Sequence, residues 1–585
     1  MEQMAPSCIV LGESVRLTGL DLQLSDVILV SRGARVEISK EAEGLVKKAR
    51  VAVEEAVLTK QVIYGINTGF GNNADVVLED ASAAETLQKY LILTHAVCVG
   101  KPLPNSVVRA MMVIRINSLL RGHSGLRWSL IDRLVELLNE DMLPVIPEKG
   151  SVGASGDLAP LSHMALTLIG EGEVTFKGQR VLCAEALGLL PSNQGKSKEE
   201  WAIRLGHKEG LALINGTSLM TAYAALSIAK LSSLTDLADT NAALCLEAIC
   251  GRSAAFREDV HLLRPHPGQI VSAKNLRHLI TGSSLVDVPT SLIPNGNGGW
   301  SCSPLKDESS YVGGKAPRPQ DSYSVRCAPQ VHGAVRDAIS QAFRILEIEL
   351  NSVTDNPLIF PNQELETRFA SAGHFHGMPI AMALSYLKIA VPTLASISER
   401  RLNKLVDPAT SDGLPPFLVR NLDGSESGFM IIQYTAASIV NDLATRAHPT
   451  TVYSVPTSAN TEDHVSMGTS EGRHLLDMID DLARVLALEL MTATQALEVR
   501  QRICEGSYWP WDSSSESPEV DRRRKLLIEK KLRASPRALI ILNTVREFID
   551  FLDHDRALSA DVQKICELVI EDPTRFYQAA FVSSV

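Results

Sequence analysis

The chain is poor in aromatic residues, at 5%, and it carries no basic arm. Its basic residues are scattered and the formal net charge is −11, which disfavours a nucleic-acid partner. None of the nine cysteines forms a C-x-x-C pair, so neither a zinc ribbon nor a thioredoxin-type site is expected. Their number is odd and their spacing irregular, which reads as buried free thiols in a reducing, cytoplasmic compartment. No run of about 18 apolar residues is read, so no membrane span is expected. The opening "MEQMAPSCIVLGESVRL" lacks a charged stretch followed by a long apolar one, and no signal peptide is read. Internal repeats and low-complexity tracts are also missing.

What is present is an ordinary globular composition over 585 residues, 45% hydrophobic and 21% charged. Alternation in "VRLTGLDLQLSDVILVSRG" predicts short extended pieces over the first ~35 residues. Helical periodicity starts near Ser39. Val335, Ala338, Ile339, Ala342, Ile345 and Leu346 form one apolar stripe at helical spacing. Residues 376–405 form another, where Pro392 predicts a kink or a break, and a third runs from His474 to Arg500. Glycine-rich loops fall between these helices, the usual place for binding and catalysis. The charged stretch at 508–527 separates a C-terminal helical piece. We read three segments: residues 1–225, a central bundle at 226–505, and a C-terminal helical extension at 506–585.

The stretch "EKGSVGASGDLAPLSHMALTLIG", Glu148 to Gly170, poses the chemical question. A nucleophile elbow needs glycine where Asp157 stands. A phosphate loop needs a lysine after the second glycine; the nearby "GKS" at 195–197 has Leu190 where a glycine is required. The plain reading is a tight turn with Asp157 capping a helix whose first turn tolerates Pro160. A sharper one is backbone cyclisation. The amide nitrogen of Gly156 would attack the carbonyl carbon of Ala154, and loss of two waters, one from Ser155, would give a methylidene-imidazolone (MIO) ring. Gly156 suits this with an unhindered nitrogen and unusual dihedrals. A helix N-terminus beside the ring would favour negative charge building on it.

"GSVGASGDLAPLSHMAL" resembles the signature of the MIO-dependent aromatic amino acid lyases, which include ammonia-lyases and aminomutases. The resemblance continues through "YGINTGFG" (64–71), "ALINGTSLMTA" (212–222), "QDSYSVRCAPQVHG" (320–333), "GHFHG" (373–377), "SGFMIIQYTAAS" (427–438) and "PTSANTEDHVSMG" (456–468). It covers roughly residues 10–500. It implies a mostly α fold of fumarase/aspartase-like architecture, with a small mixed N-terminal region and a central bundle of long antiparallel helices. It also implies a homotetramer whose active sites draw on three subunits. The partner is a small aromatic amino acid. The cofactor is the MIO ring formed from Ala154, Ser155 and Gly156, with no external cofactor and no metal.

By the same resemblance Tyr64 removes the β-proton, Asn215 supports the ring, and Tyr323 helps at the amine or the ring. Arg326 grips the substrate carboxylate, as two parallel hydrogen bonds from a guanidinium allow. Gln320 hydrogen-bonds nearby and Phe375 forms an aromatic wall. Without the family, Tyr64 reads as a packed turn residue and Arg326 as half of a structural ion pair. A tyrosine base needs its ordinary pKa near ~10 lowered by positive potential. His374 and His376 invite a metal reading, but no third ligand is tied to them by spacing.

Substrate choice falls on Thr94 and His95. The pair is nearest to the Ser-His of the histidine branch, and an imidazole there suits an imidazole or phenol ring better than a phenyl. Four departures point the other way: "AGHFH" with Ala372 and His374, Asp442 in place of a glutamate, Thr461 in place of a glutamine, and added length near 293–319 and 500–550. Histidine is favoured; tyrosine-, phenylalanine- or hydroxylated-substrate lyases and a 2,3-aminomutase are the alternatives.

Overall fold

The computed structural model describes residues 14–582 except 72–73, 79–80, 288–292, 296–298, 302–319, 412, 509–527 and 529–530. Cys8, Cys302 and most of the added length near 293–319 lie outside the described residues, as does part of that at 500–550. The chain is mostly helical, as expected. Its contacts define two compact units, each assembled from three separated segments. Unit 1 comprises Met1–Ala229, Gln341–Tyr386 and Pro449–Leu476; unit 2 comprises Lys230–Ser340, Leu387–His448 and Asp477–Val585.

Unit 1 opens with a parallel pair, Ser14–Leu17 on Arg35–Ile38. The expectation of extended chain throughout this region is corrected at Leu24–Ser31, which is a helix. Its start is set by a reciprocal cap between Gln23 and Asp26, a signal that the apolar alternation hides. Helix Lys40–Leu58 follows, burying Ala42, Val46, Ala49, Val53 and Ala56 at three- and four-residue spacing. Ala49, Ala52, Val53 and Ala56 pack with Ile63, Ile66 and Ile359. That cluster bolts down the root of the Tyr64 loop. Helix Asn105–Leu120 is buried almost all round, Arg109 and Arg115 included.

Unit 2 is built on long helices. His332 bonds Asp239 and Arg336 bonds Asp236, so helix Ala328–Leu350 runs antiparallel to Ser218–Ala248. Helix Gly468–Glu505 instead runs alongside Ser218–Ala248 in the same direction: Lys230 meets Asp480, Asn241 meets Leu486, and Ala248 meets Arg500. The expected antiparallel packing thus describes the first of these pairs and not the second. Arg401 and Glu489 form a pair with no exposed surface. Removing one partner of such a pair costs about 3–5 kcal/mol, because the other charge is left stranded.

Helix Met378–Val406 runs through Pro392 as one element, so of the kink or break expected there the break is absent. It is also long and apolar enough to cross a membrane, which the sequence reading did not anticipate, but 67% of its apolar window is buried inside protein. Near the C-terminus, Ser535 caps Pro536–Arg546 by accepting from the Ala538 amide, with proline in the first turn.

Candidate functional site

The 153–157 turn is held in an uncommon backbone state. Ser155 has φ +51° and Gly153 and Gly156 have φ +76° and +79°. A serine in this region costs on the order of 1–3 kcal/mol unless its surroundings enforce it. Here they do. The Gly216 amide donates to the Ser155 carbonyl at 3.2 Å, and the Asp157 amide donates to the Gly216 carbonyl at 2.7 Å. Gly156 and Gly216 thereby form a parallel bridge. The Ser151 hydroxyl accepts from the Gly153 amide and donates to the Gly156 carbonyl. A Cβ on Gly156 would collide with the backbone of Gly216, so only glycine fits. Such a cradle around Ala154, Ser155 and Gly156 fits a ring made from those residues.

Asp157 does not cap its own helix, Leu158–Leu166, with its side chain. Its carboxylate instead accepts from the amides of Leu219 and Met220, at 2.8 and 3.1 Å, at the start of Ser218–Ala248. The Thr469 hydroxyl donates to its other oxygen at 2.6 Å. The group is wholly enclosed, and burial raises its pKa to about 6 against these hydrogen bonds. Asp157 is therefore a cross-brace between three distant segments of unit 1.

The Ser155 hydroxyl donates to Glu462 at 3.3 Å. Thr457 donates to the other oxygen of the same carboxylate at 2.7 Å. The motif at 456–468 draws attention to Thr461, one residue short of the side chain that touches Ser155. The only available signal was an acid inside a matched motif.

Three expected residues gather around this carboxylate. Tyr64 accepts from the Gly71 amide at 3.3 Å and packs edge-on to Phe70. Burial raises its pKa and the charge of Glu462 adds to the rise, opposite to the lowering a tyrosine base requires. His95 ends helix Ala81–His95, with its Nδ1 3.2 Å from the Thr94 hydroxyl. Burial lowers its pKa, and Glu462 opposes that shift. Ser155 completes the group.

Asn215 is 3% exposed, and its side-chain oxygen has no hydrogen-bond partner among the described residues. Phe375 is half-buried in the 373–377 turn. His376 stacks on His464 and shares a hydrogen bond with its carbonyl. Among the described residues no group of three or more His, Cys, Asp or Glu side chains is placed to hold a metal.

The remaining expected residues belong to unit 2. Gln320 is exposed, and Tyr323–Arg326 forms a single helical turn. Tyr323 is 71% exposed, and the Arg326 guanidinium lies 4.5 Å from its ring centre. Arg326 is half-buried, and its Nε donates to the Asp321 carbonyl at 2.9 Å. Arg401 supports the turn from beneath by donating to the Ser324 carbonyl. Asp442 is exposed on helix Met430–Arg446 and pairs with Arg446 at 2.6 Å.

A mostly helical chain with a strained Ala-Ser-Gly turn on a glycine cradle defines a lyase class, and the comparison with known families agrees. Residues 22–518 match the aromatic amino acid lyase family, and the chain belongs to it. Among individual relatives, the histidine ammonia-lyase of Symbiobacterium thermophilum is 43% identical over 95% of this chain and 96% of its own. The crystal structure of histidine ammonia-lyase from Trypanosoma cruzi superposes with a TM-score of 0.78 at 32% identity, covering 97% of this chain and 98% of that one. Tyrosine aminomutase from Streptomyces globisporus gives a TM-score of 0.80 at 31% identity, covering 97% and 99%.

Proposed function

We propose that the protein is an ammonia-lyase that eliminates ammonia from an aromatic L-amino acid, with histidine as substrate and urocanate as product. The observation that carries this reading is the clamped Ala154-Ser155-Gly156 turn with Glu462 at the Ser155 hydroxyl. The MIO ring from that tripeptide would supply an electrophile able to activate the substrate for loss of ammonia. The chain's own residues do the rest. Arg326 holds the α-carboxylate, with Gln320 and Tyr323 beside it, and Tyr64 takes the β-proton, a role that requires positive potential in the complete site to offset the rise from burial and Glu462. The Gly216 amide donates to the Ser155 carbonyl, where negative charge would collect, and Asn215 would support the ring beside it. His95 and Glu462 offer hydrogen bonds to a polar ring, which favours imidazole over phenyl. In this reading Phe375 would form an aromatic wall and Asp442 would be the shortened pocket carboxylate.

The protein assembles as a homotetramer in this reading. Helix Met430–Arg446 buries only Ile432, Ala436 and Leu443, while Ile431 and Tyr434 are more than half exposed. Apolar surface of this kind marks a contact with another chain.

Two measurements test the proposal. The intact mass is expected to fall by about 36 Da, the two waters of cyclisation, and Ser155→Ala is expected to remove both the deficit and activity. A substrate panel then reads ultraviolet product bands: a urocanate band from histidine supports the assignment. A cinnamate-type band from tyrosine alone, or a β-amino acid product, overturns the substrate or the reaction.

A further inference from the structure

Arg115 is a costly residue in this fold. It has no exposed surface, sits on the buried helix Asn105–Leu120, and forms no ion pair among the described residues. Its Nη2 donates to the Ala212 carbonyl, but Nε and Nη1 have no partner among the described residues. The nearest carboxylates are engaged elsewhere. Asp355 pairs with Lys208 at 2.9 Å, and Asp157 braces Leu219, Met220 and Thr469. A buried cation so poorly satisfied is not kept for stability, since an apolar side chain of similar volume does that better.

Its position supplies the reason. A Cβ built on Gly216 would fall 2.5 Å from Arg115 Nη1 and 2.7 Å from the Thr354 hydroxyl. Gly216 is also the residue that grips Ser155, Gly156 and Asp157. Gly156, Gly216 and the Arg115–Thr354 wall are thus stacked in direct contact. We infer that Arg115 is a positioning residue for ring formation: it is the back wall that presses the Gly216 backbone onto the Ala154-Ser155-Gly156 turn.

The inference rests on the cyclisation in the proposed function, and the chemistry shows why position governs it. The Gly156 nitrogen bonds to the Ala154 carbonyl carbon. The Ala154 oxygen then leaves as water with the protons of the Gly156 and Ser155 amides, creating a C=N bond. The Ser155 hydroxyl leaves as the second water with the Ser155 α-hydrogen, creating the exocyclic C=C bond. Attack requires the nitrogen and carbon to be held nearer than an ordinary turn allows, and Gly216 can withstand that compression only if it cannot retreat. Arg115, tied to the Ala212 carbonyl one turn before Asn215, blocks the retreat. Glycine at 216 is the one residue thin enough to stand between.

The test follows intact mass against time after cell-free synthesis of the full chain, with helical circular dichroism and thermal melting on the same samples. Wild type is expected to lose both waters. Arg115→Met and Gly216→Ala are expected to fold yet retain them about a hundredfold longer, the usual cost of a misplaced reacting pair. Loss of both waters at the wild-type rate by either folded variant overturns the inference. If Arg115→Met does not melt cooperatively, Arg115→Lys carries the test. It keeps the charge but cannot span Ala212 and Gly216, so slow loss supports the inference and wild-type loss overturns it. Ser155→Ala separates the two levels. A wild type that keeps both waters, or a deficit that survives in Ser155→Ala, overturns the cyclisation itself.

Discussion

The turn at Ser155 and the turn at Arg326 are both matched family motifs, yet they are built on opposite principles. Around Ser155 the protein invests burial: backbone clamps from Gly216, an enclosed carboxylate in Asp157, and a strained serine that cannot relax. Around Arg326 it invests little. Tyr323 stands mostly in the open, and the turn rests on the Asp321 carbonyl and one bond from Arg401. A group that must be forced into a reactive shape needs a rigid, buried frame. A group that only captures a carboxylate, the role proposed for Arg326, needs reach and charge. Changes in the first region are therefore expected to move folding and chemistry together, and changes in the second to move chemistry alone.

The strongest separation is expected at the carboxylate that touches Ser155. Glu462→Gln keeps the shape and removes the charge, and kcat/KM is expected to fall by about 10²–10⁴-fold, the range for losing a positioned acid or base. Intact mass should still show the two-water deficit; an unmodified mass would move Glu462 into ring formation instead. Arg326→Lys comes next. Kinetics are expected to show about a 10–100-fold loss of kcat/KM, for loss of a paired hydrogen bond of a few kcal/mol, at an unchanged melting temperature. A lowered melting temperature would break the contrast between the two turns.

Asp157→Asn probes the buried frame. An amide can replace only one accepting oxygen, so denaturant unfolding is expected to show about 1–3 kcal/mol less stability near neutral pH. The pH dependence has a definite sign. The native pKa of about 6 lies above the ordinary value of 3.8, so the folded state holds this proton more tightly than the unfolded one. Its contribution favours folding below pH ~4 and is lost as pH rises to about 6. Asp157→Asn is expected to remove that component of the slope of stability against pH. An unaltered slope would show that the carboxyl titrates normally. The smallest effect is expected at Tyr323→Phe, whose exposed ring should leave stability within about 0.5 kcal/mol while kcat changes.

Much of the architecture was readable in advance. The stripe from Val335 to Leu346, the helix starting after Ser39 and the buried run from His474 all follow from the 3.6-residue period. The extended reading of 24–31 failed because a two-residue cap outweighed local alternation. Of the kink or break expected at Pro392, the break does not occur, and the helix continues with most of its length enclosed by protein. Ser155, Tyr64 and His95 stand out by their motifs, and the structure brings all three near Glu462. Glu462 is not legible in the sequence, because only its place beside Ser155, 307 residues away, distinguishes it from any acid in a loop.

The sequence by itself determined the family, the tripeptide, and the residue types that would bind an amino acid, because these are local spellings with local meaning. Tertiary structure alone decided that Asp157 braces a different helix from the one it precedes, that Glu462 faces Ser155, and that Arg115 stands behind Gly216. Each of these is a contact between segments remote in the chain. The energy that selects them is burial and hydrogen bonding across the fold, which no local pattern of residues encodes.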